Sequence, residues 1–258
     1  MKLQKTIILF SFCIILGMIS CQKKHTGDLT VNFKSMVYNS PIKLREMIYV
    51  NAAENPYQVN EIKYFISKFF LIKSDGNWVK ITDNSGIHYA DLSDAKTLKW
   101  TLKDVEEGEY KGIAFIFGLD EQDNKSHRFP NPPESNFSWP DILGGGYHYL
   151  QINGKYKDRS GEEKSMNFHS GIGQLYKNNV LHADSIYAYI HNYFSVKLPV
   201  NFKIEKGKTS HLDLIMNVDA WFDAPIVYDH NYFGSGIMQN QQAQAVIKEN
   251  GKNVFEAR

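Results

Sequence analysis

From residue 29 onward the chain places apolar side chains at every second position. Val31 and Phe33 alternate with Asn32 and Lys34, and Ile113, Phe115 and Phe117 fall on one face. Val200, Phe202 and Ile204 alternate with Asn201 and Lys203, and Leu212, Leu214, Met216 and Val218 repeat the rule. Successive side chains of an extended chain point to opposite faces, so this period marks strands with one buried face. Turn signals separate them: Ser74-Asp75-Gly76-Asn77, Asp83-Asn84-Ser85-Gly86, Glu107-Gly108, Asn153-Gly154, Ser160-Gly161 and Glu205-Lys206-Gly207. Tyr64 to Lys73, YFISKFFLIK, is apolar on both faces and reads as a central strand, with a buried helix as the alternative for a run of this length. Gln239 to Asn250 alone has a helical pattern, with Ala243, Val246 and Ile247 on one side and Asn250-Gly251 as a left-handed stop. The predicted fold is all-β, an antiparallel β-sandwich with long loop insertions, chiefly 118–146, and one short C-terminal helix. No linker or repeat divides residues 29–258, which read as a single domain.

The first residues carry an address. Lys2 and Lys5 precede an apolar run from Thr6 to Ser20 that is too short to span a membrane, the layout of a secretory signal over residues 1–20. Met18-Ile19-Ser20-Cys21 looks like a lipobox, which makes Cys21 the acylated first residue of the mature chain and 21–28 a tether. The alternative is a soluble secreted protein cleaved nearby. Gln22 carries no retention signal, so the expected location is the outer membrane, reached through the lipid. Cys13 falls in the discarded segment, which leaves the mature domain without disulfides, thiolate metal sites or cysteine nucleophiles. The formal net charge is +1 and the basic residues are scattered, so nucleic acid is not an expected partner.

Catalytic motifs are missing: there is no G-x-S-x-G, no H-E-x-x-H and no phosphate loop. The expected protein is not an enzyme. Asp120 and Asp123, with Asn124, offer oxygens to calcium, whereas Asp219, Asp223 and Asp229 are ambiguous. The densest chemistry lies in FSWPDILGGGYHYLQING and the following MNFHSGIG, which bring Trp139, His148 and His169 together with six glycines. Gly144 to Gly146 permit positive φ where a loop enters a strand. Strict alternation puts His148 on the face of Leu150 and Ile152, opposite Tyr147, Tyr149 and Gln151, and Gly171 and Gly173 leave space over His169. The remaining histidines, His25, His88, His127, His182, His191, His211 and His230, read as loop or exposed-face residues. Imidazoles without cysteine suit an open site for copper, iron, nickel or zinc. Two other readings stand beside a metal site. Trp139, Tyr147, Tyr149 and the 187–194 strand can form an aromatic platform for a glycan or a partner protein, and Asp141, His148 and His169 can act as acid or base in a hydrolase.

The order of these features resembles the MbnP-like family. The likeness runs from the lipobox through Tyr64-Phe65-Ile66-Ser67, Gly118-Leu119-Asp120, the Ser138-Trp139 segment, Asn153-Gly154 and Phe168-His169-Ser170-Gly171. It continues through Met216-Asn217-Val218, Trp221-Phe222, Pro225, Tyr228-Asp229, Ile237-Met238-Gln239-Asn240 and Asn250-Gly251 to Val254-Phe255. The resemblance implies a β-sandwich similar to a secreted copper protein of methane-oxidising bacteria. There, two histidines and a tryptophan oxidised to kynurenine hold the metal, and a partner di-haem enzyme of the MauG type performs the oxidation. It implies Trp139 as the tryptophan and His169 as one ligand. Asp141 stands where the second histidine is expected, and His148 is the residue able to replace it.

Overall fold

The computed structural model describes residues 25–258; the signal segment and Cys21 lie outside the described residues. Two sheets enclose the main core. In the first, Thr26–Val37 lies between Thr209–Asn217 and Lys99–Glu106, with Phe255–Ala257 beyond Thr209–Asn217 and Ser40–Pro41 against its end. The second has the order Glu163–Ser170, Leu150–Lys157, Pro56–Lys73, Gly108–Phe117, Phe194–Ile204. Leu29, Val31, Phe33 and Leu214 from the first sheet meet Ile62, Tyr64, Ile113, Ile152 and Phe168 from the second. Among these strands pairing is antiparallel apart from Thr26–Val37 against Thr209–Asn217, which is parallel from Asp28↔Thr209 to Met36↔Asn217. The sandwich is the expected one, and among the described residues the 10-residue Gln241–Asn250 is the one substantial helix.

The run that is apolar on both faces is part of an 18-residue central strand, Pro56–Lys73. Both faces are buried for different reasons. Tyr64 and Ile66 point into the main core, whereas Phe65 enters a second cluster with Ile87, Leu119, Phe137, Tyr147 and Tyr149 that the 118–146 insertion lays over the outer face. At Lys68 the backbone takes φ +51° and the register against Gly108–Phe117 shifts, so Ile66 and Phe69 both reach the main core.

Three local expectations change. The sheet begins at Thr26, inside the stretch read as tether, because Asp28 N donates to Lys208 O at 2.8 Å and Gly207 N to Thr26 O at 2.9 Å. Main-chain bonds hold these polar residues, which gave no apolar signal. Asn153-Gly154 is not a turn but the middle of Leu150–Lys157. Gly154 is required there by clearance, since a Cβ would lie 2.8 Å from Met166 Cε and closer still to the carbonyl oxygen of Gln58. Gly251 is right-handed at φ −55°, and the helix runs on into the turn Gly251–Asn253. A side chain at that position would collide with the rings of Phe194 and Trp221, so this glycine also serves packing.

Candidate metal centre

The centre sits on the outer face at one end of the second sheet. Ile62, Tyr64, Leu150, Ile152, Met166 and Phe168 point into the core, so the residues between them point outward. Strand pairing lines these up as Lys63 beside Gln151 beside His169, and Glu61 beside Asn153 beside Asn167. A polar row therefore crosses three strands whose other face is apolar.

The insertion brings the remaining groups. Segment 137–139 pairs with 146–148: Trp139 N donates to Gly146 O at 2.9 Å, His148 N to Phe137 O at 3.0 Å, and Ser138 and Tyr147 form a bridge. The reversal between them uses Gly144, Gly145 and Gly146 at φ +113°, +65° and +78°. A Cβ on Gly145 would come within 2.5 Å of Ser126 Oγ, so the corner is closed to larger residues. Regular strand begins only at Leu150, and His148 lies before it. Alternation therefore does not extend back to His148, which lies over the outer face with His169 and not on the Leu150 and Ile152 face.

These two routes bring Trp139, His148 and His169 together. The indole of Trp139 meets the His148 ring edge-on at 4.8 Å between centroids, and His148 meets His169 edge-on at 5.2 Å. Phe137 stacks on His148 at 5.1 Å. Trp139 is 2 % exposed, with Nε1 donating to Leu143 O at 3.3 Å. It packs with Leu143, Ile172 and Met238. A Cβ on Gly171 would lie 2.5–2.8 Å from the indole, so the space this glycine leaves is over Trp139 and not over the imidazole.

Hydrogen bonds define which nitrogens are free. His148 Nδ1 lies 3.2 Å from Phe137 O. A carbonyl only accepts, so Nδ1 carries the proton and Nε2 keeps its lone pair in the neutral ring. His169 Nε2 lies 2.7 Å from Asn153 Oδ1, and its Nδ1 is buried without a partner. Burial pulls the His148 pKa down to about 4 against smaller upward contributions from the carbonyls of Phe137 and Ser138. Burial, and then the neighbouring His148, pull His169 down to about 3. Both rings are neutral donors at physiological pH. Among the described residues no three His, Cys, Asp or Glu side chains converge, so a metal here would need a donor of another kind beside the two imidazoles.

The cluster stands between two cavities. One of about 860 Å³ is bordered by His169, Met238 and Tyr176. The other, of about 570 Å³, is bordered by Trp139, Asp141 and His127. Asp141 is exposed, accepts from Ser126 Oγ at 3.2 Å and belongs to the tryptophan side. It does not join the histidines.

Other candidates have different surroundings. Asp120 and Asp123 converge on protein cations: Lys68 Nζ lies 3.6 Å from Asp120 and 2.8 Å from Asp123, and Arg128 lies 3.2 Å from Asp123. Their charge is met from within the chain. Trp139, Tyr147 and Tyr149 are at most 2 % exposed, so the aromatic platform does not form from them; Tyr187 and Tyr189 are the exposed aromatics of that group. Asp229 caps the short helix His230–Phe233 and pairs with Arg159 at 3.0 Å. His88 is stacked between Phe33 at 4.3 Å and Trp100 at 5.1 Å, and His230 is 1 % exposed, so neither is an exposed-face residue. Their apolar neighbours come from distant segments, which local pattern does not reveal.

The buried histidines predict acid sensitivity. Burial pulls His88 and His230, like His148, down to about 4. The unfolded chain takes up these protons near pH 6.5, so below that pH it binds more protons than the fold does. Stability from these groups is complete above about pH 6.5 and is lost as pH falls toward 4, with an upper bound on the order of 3 kcal/mol per histidine. Urea midpoints should fall clearly between pH 7 and pH 5; a flat profile would contradict the neutral, buried state.

Sequence reasoning missed Asn153 and Glu61, which stand behind His169. Their signal was the polar half of the alternation, Glu61 and Lys63, Gln151 and Asn153, Asn167 and His169, obscured by reading Asn153-Gly154 as a turn.

A search of curated proteins finds no match. Among solved structures, MbnP from Methylosinus trichosporium has a TM-score of 0.51 at 15% sequence identity, covering 76% of this chain and 77% of that chain; at this identity the likeness concerns the fold. The model of the MbnP family matches residues 26–241, from the first strand to the start of the final helix. A match of the family model over most of the chain places the protein in the MbnP family.

Proposed function

We propose that the protein is a lipid-anchored, non-enzymatic copper-binding protein of the cell envelope, held at the outer membrane through Cys21, with His148 and His169 as ligands beside Trp139. The observation that carries this is the pair of neutral imidazoles 5.2 Å apart, one of which has a buried Nδ1 with no partner. A buried lone pair without a donor is costly, and a cation is one group that satisfies it. Two imidazoles without carboxylate or thiolate suit copper, and Met238, packed against the cluster of Trp139, Leu143 and Ile172 and bordering the same cavity as His169, carries a soft thioether donor. His148 then fills the role that Asp141 leaves open. The family relationship supports copper and a partner di-haem enzyme that converts Trp139 to kynurenine. The test is equilibrium titration of the purified protein with copper. One ion per chain is expected, and no saturable binding would reject the reading.

The anchor has its own test. Cys21→Ser should leave unacylated precursor that no longer partitions into membranes. An unmodified, soluble mature chain from the wild-type gene would contradict the lipobox reading.

A second reading rests on the larger cavity. Gln174, Tyr176, Tyr187, Gln239, Asn240 and Gln241 line it, no Asp, Glu, Lys or Arg does, and the Gln241 amide is buried without hydrogen-bond partners. Uncharged amides and tyrosines suit a neutral polyhydroxyl ligand, and binding of neutral oligosaccharides that Tyr187→Ala weakens would favour a glycan-binding module.

A further inference from the structure

His169 has two nitrogens, and the structure provides a device that chooses between them. Asn153 lies on the neighbouring strand, two residues beyond Gln151, the direct partner of His169, and its Oδ1 is 2.7 Å from His169 Nε2. A side-chain amide presents either its oxygen or its nitrogen, and nothing in His169 alone decides which. Glu61 decides. Its Oε2 lies 2.8 Å from Asn153 Nδ2, and a carboxylate only accepts, so the NH₂ end of the amide must face Glu61 and the oxygen must face the ring.

Glu61 is itself fixed as an anion. Burial works to raise its pKa, but the ion-paired Lys63 and the Asn153 hydrogen bond together outweigh it and hold the carboxyl below its ordinary value. Lys63 also lies 3.9 Å from Asp91. Charge, amide and imidazole thus form a chain across adjacent strands.

We propose that Asn153, oriented by Glu61, is a positioning residue that holds His169 as its Nε2–H tautomer and makes Nδ1 the metal-binding nitrogen. Histidine ligands commonly donate their second ring N–H to an oxygen acceptor, which fixes both tautomer and ring direction. Here the acceptor is present before any metal arrives. The free Nδ1 is the buried atom without a hydrogen-bond partner, so the device that selects the nitrogen also leaves its lone pair unpaired within the protein. The role assigned to the site rests on the copper reading; the tautomer does not.

Long-range ¹H–¹⁵N NMR of the metal-free protein reads the tautomer directly. Wild-type His169 is expected as the Nε2–H form. Asn153→Leu, which keeps bulk but removes the acceptor, should give a mixture or the Nδ1–H form and weaken copper binding about tenfold. Glu61→Gln, which leaves Asn153 in place but lets the amide turn, should produce a smaller shift in the same direction. Wild-type His169 in the Nδ1–H form, or an unchanged tautomer in folded Asn153→Leu or Glu61→Gln protein, overturns the proposal. If the wild type shows the expected tautomer but binds no copper, the copper reading fails and the positioning role of Asn153 stands.

Discussion

His169→Ala should weaken copper binding by more than a hundredfold, beyond the 10–100-fold loss typical of removing an outer-shell partner. The site has no spare ligand to compensate, because no third His, Cys, Asp or Glu joins the histidine pair among the described residues. His148→Ala should have a comparable effect, since its ring lies between Trp139 at 4.8 Å and His169 at 5.2 Å. Asp141→Ala serves as the contrast. Its carboxylate faces Ser126, so its affinity should stay within about twofold of wild type. Competition titration with a copper chelator measures all three. Equal loss in Asp141→Ala and His169→Ala would place the metal on the tryptophan side and displace His148 from the site.

The largest effect on stability is expected from Gly154→Val. The added Cβ would press on the Gln58 carbonyl of the central strand and lie 2.8 Å from Met166 Cε. A backbone carbonyl within a sheet cannot swing aside as a flexible side chain does, so relief requires parting Leu150–Lys157 from Pro56–Lys73. A loss of about 3 kcal/mol or more is expected, the scale of severe overpacking. Gly161, in the turn before Glu163–Ser170, has nothing within 4 Å of its Cβ position but lies at φ +83°. Gly161→Ala should cost only the conformational penalty of about 1 kcal/mol. Urea unfolding of the two variants separates the causes, and equal, small losses would contradict the close strand approach at Gly154.

Period-two patterning was sufficient for the sandwich because a strand buried on one face writes its orientation into alternate residues. The central strand was legible for the same reason, although the cause of its second buried face, the insertion over Phe65, lies far along the chain. His148 was harder to place. Alternation carries information only inside a strand, and His148 precedes the first residue of Leu150–Lys157. The two glycines read by their usual local roles, Gly154 as turn and Gly251 as left-handed stop, were instead set by neighbours from distant segments. No local signal distinguishes the two uses. The candidate residues Trp139, His148 and His169 were visible as residue types, whereas their approach depends on Ser138 pairing with Tyr147 and His169 pairing with Gln151. The ion pairs of Asp120 and Asp123 were hidden for a related reason, since Lys68 lies on the central strand, far from them in sequence.

X-ray absorption of the copper-loaded wild-type protein tests the central claim most directly. Ring scattering from two imidazoles on each copper, reduced to one in His148→Ala reconstituted under excess metal, is the predicted result. Copper bound without imidazole scattering, or with the same two imidazoles after His148 is removed, would contradict a site built on His148 and His169.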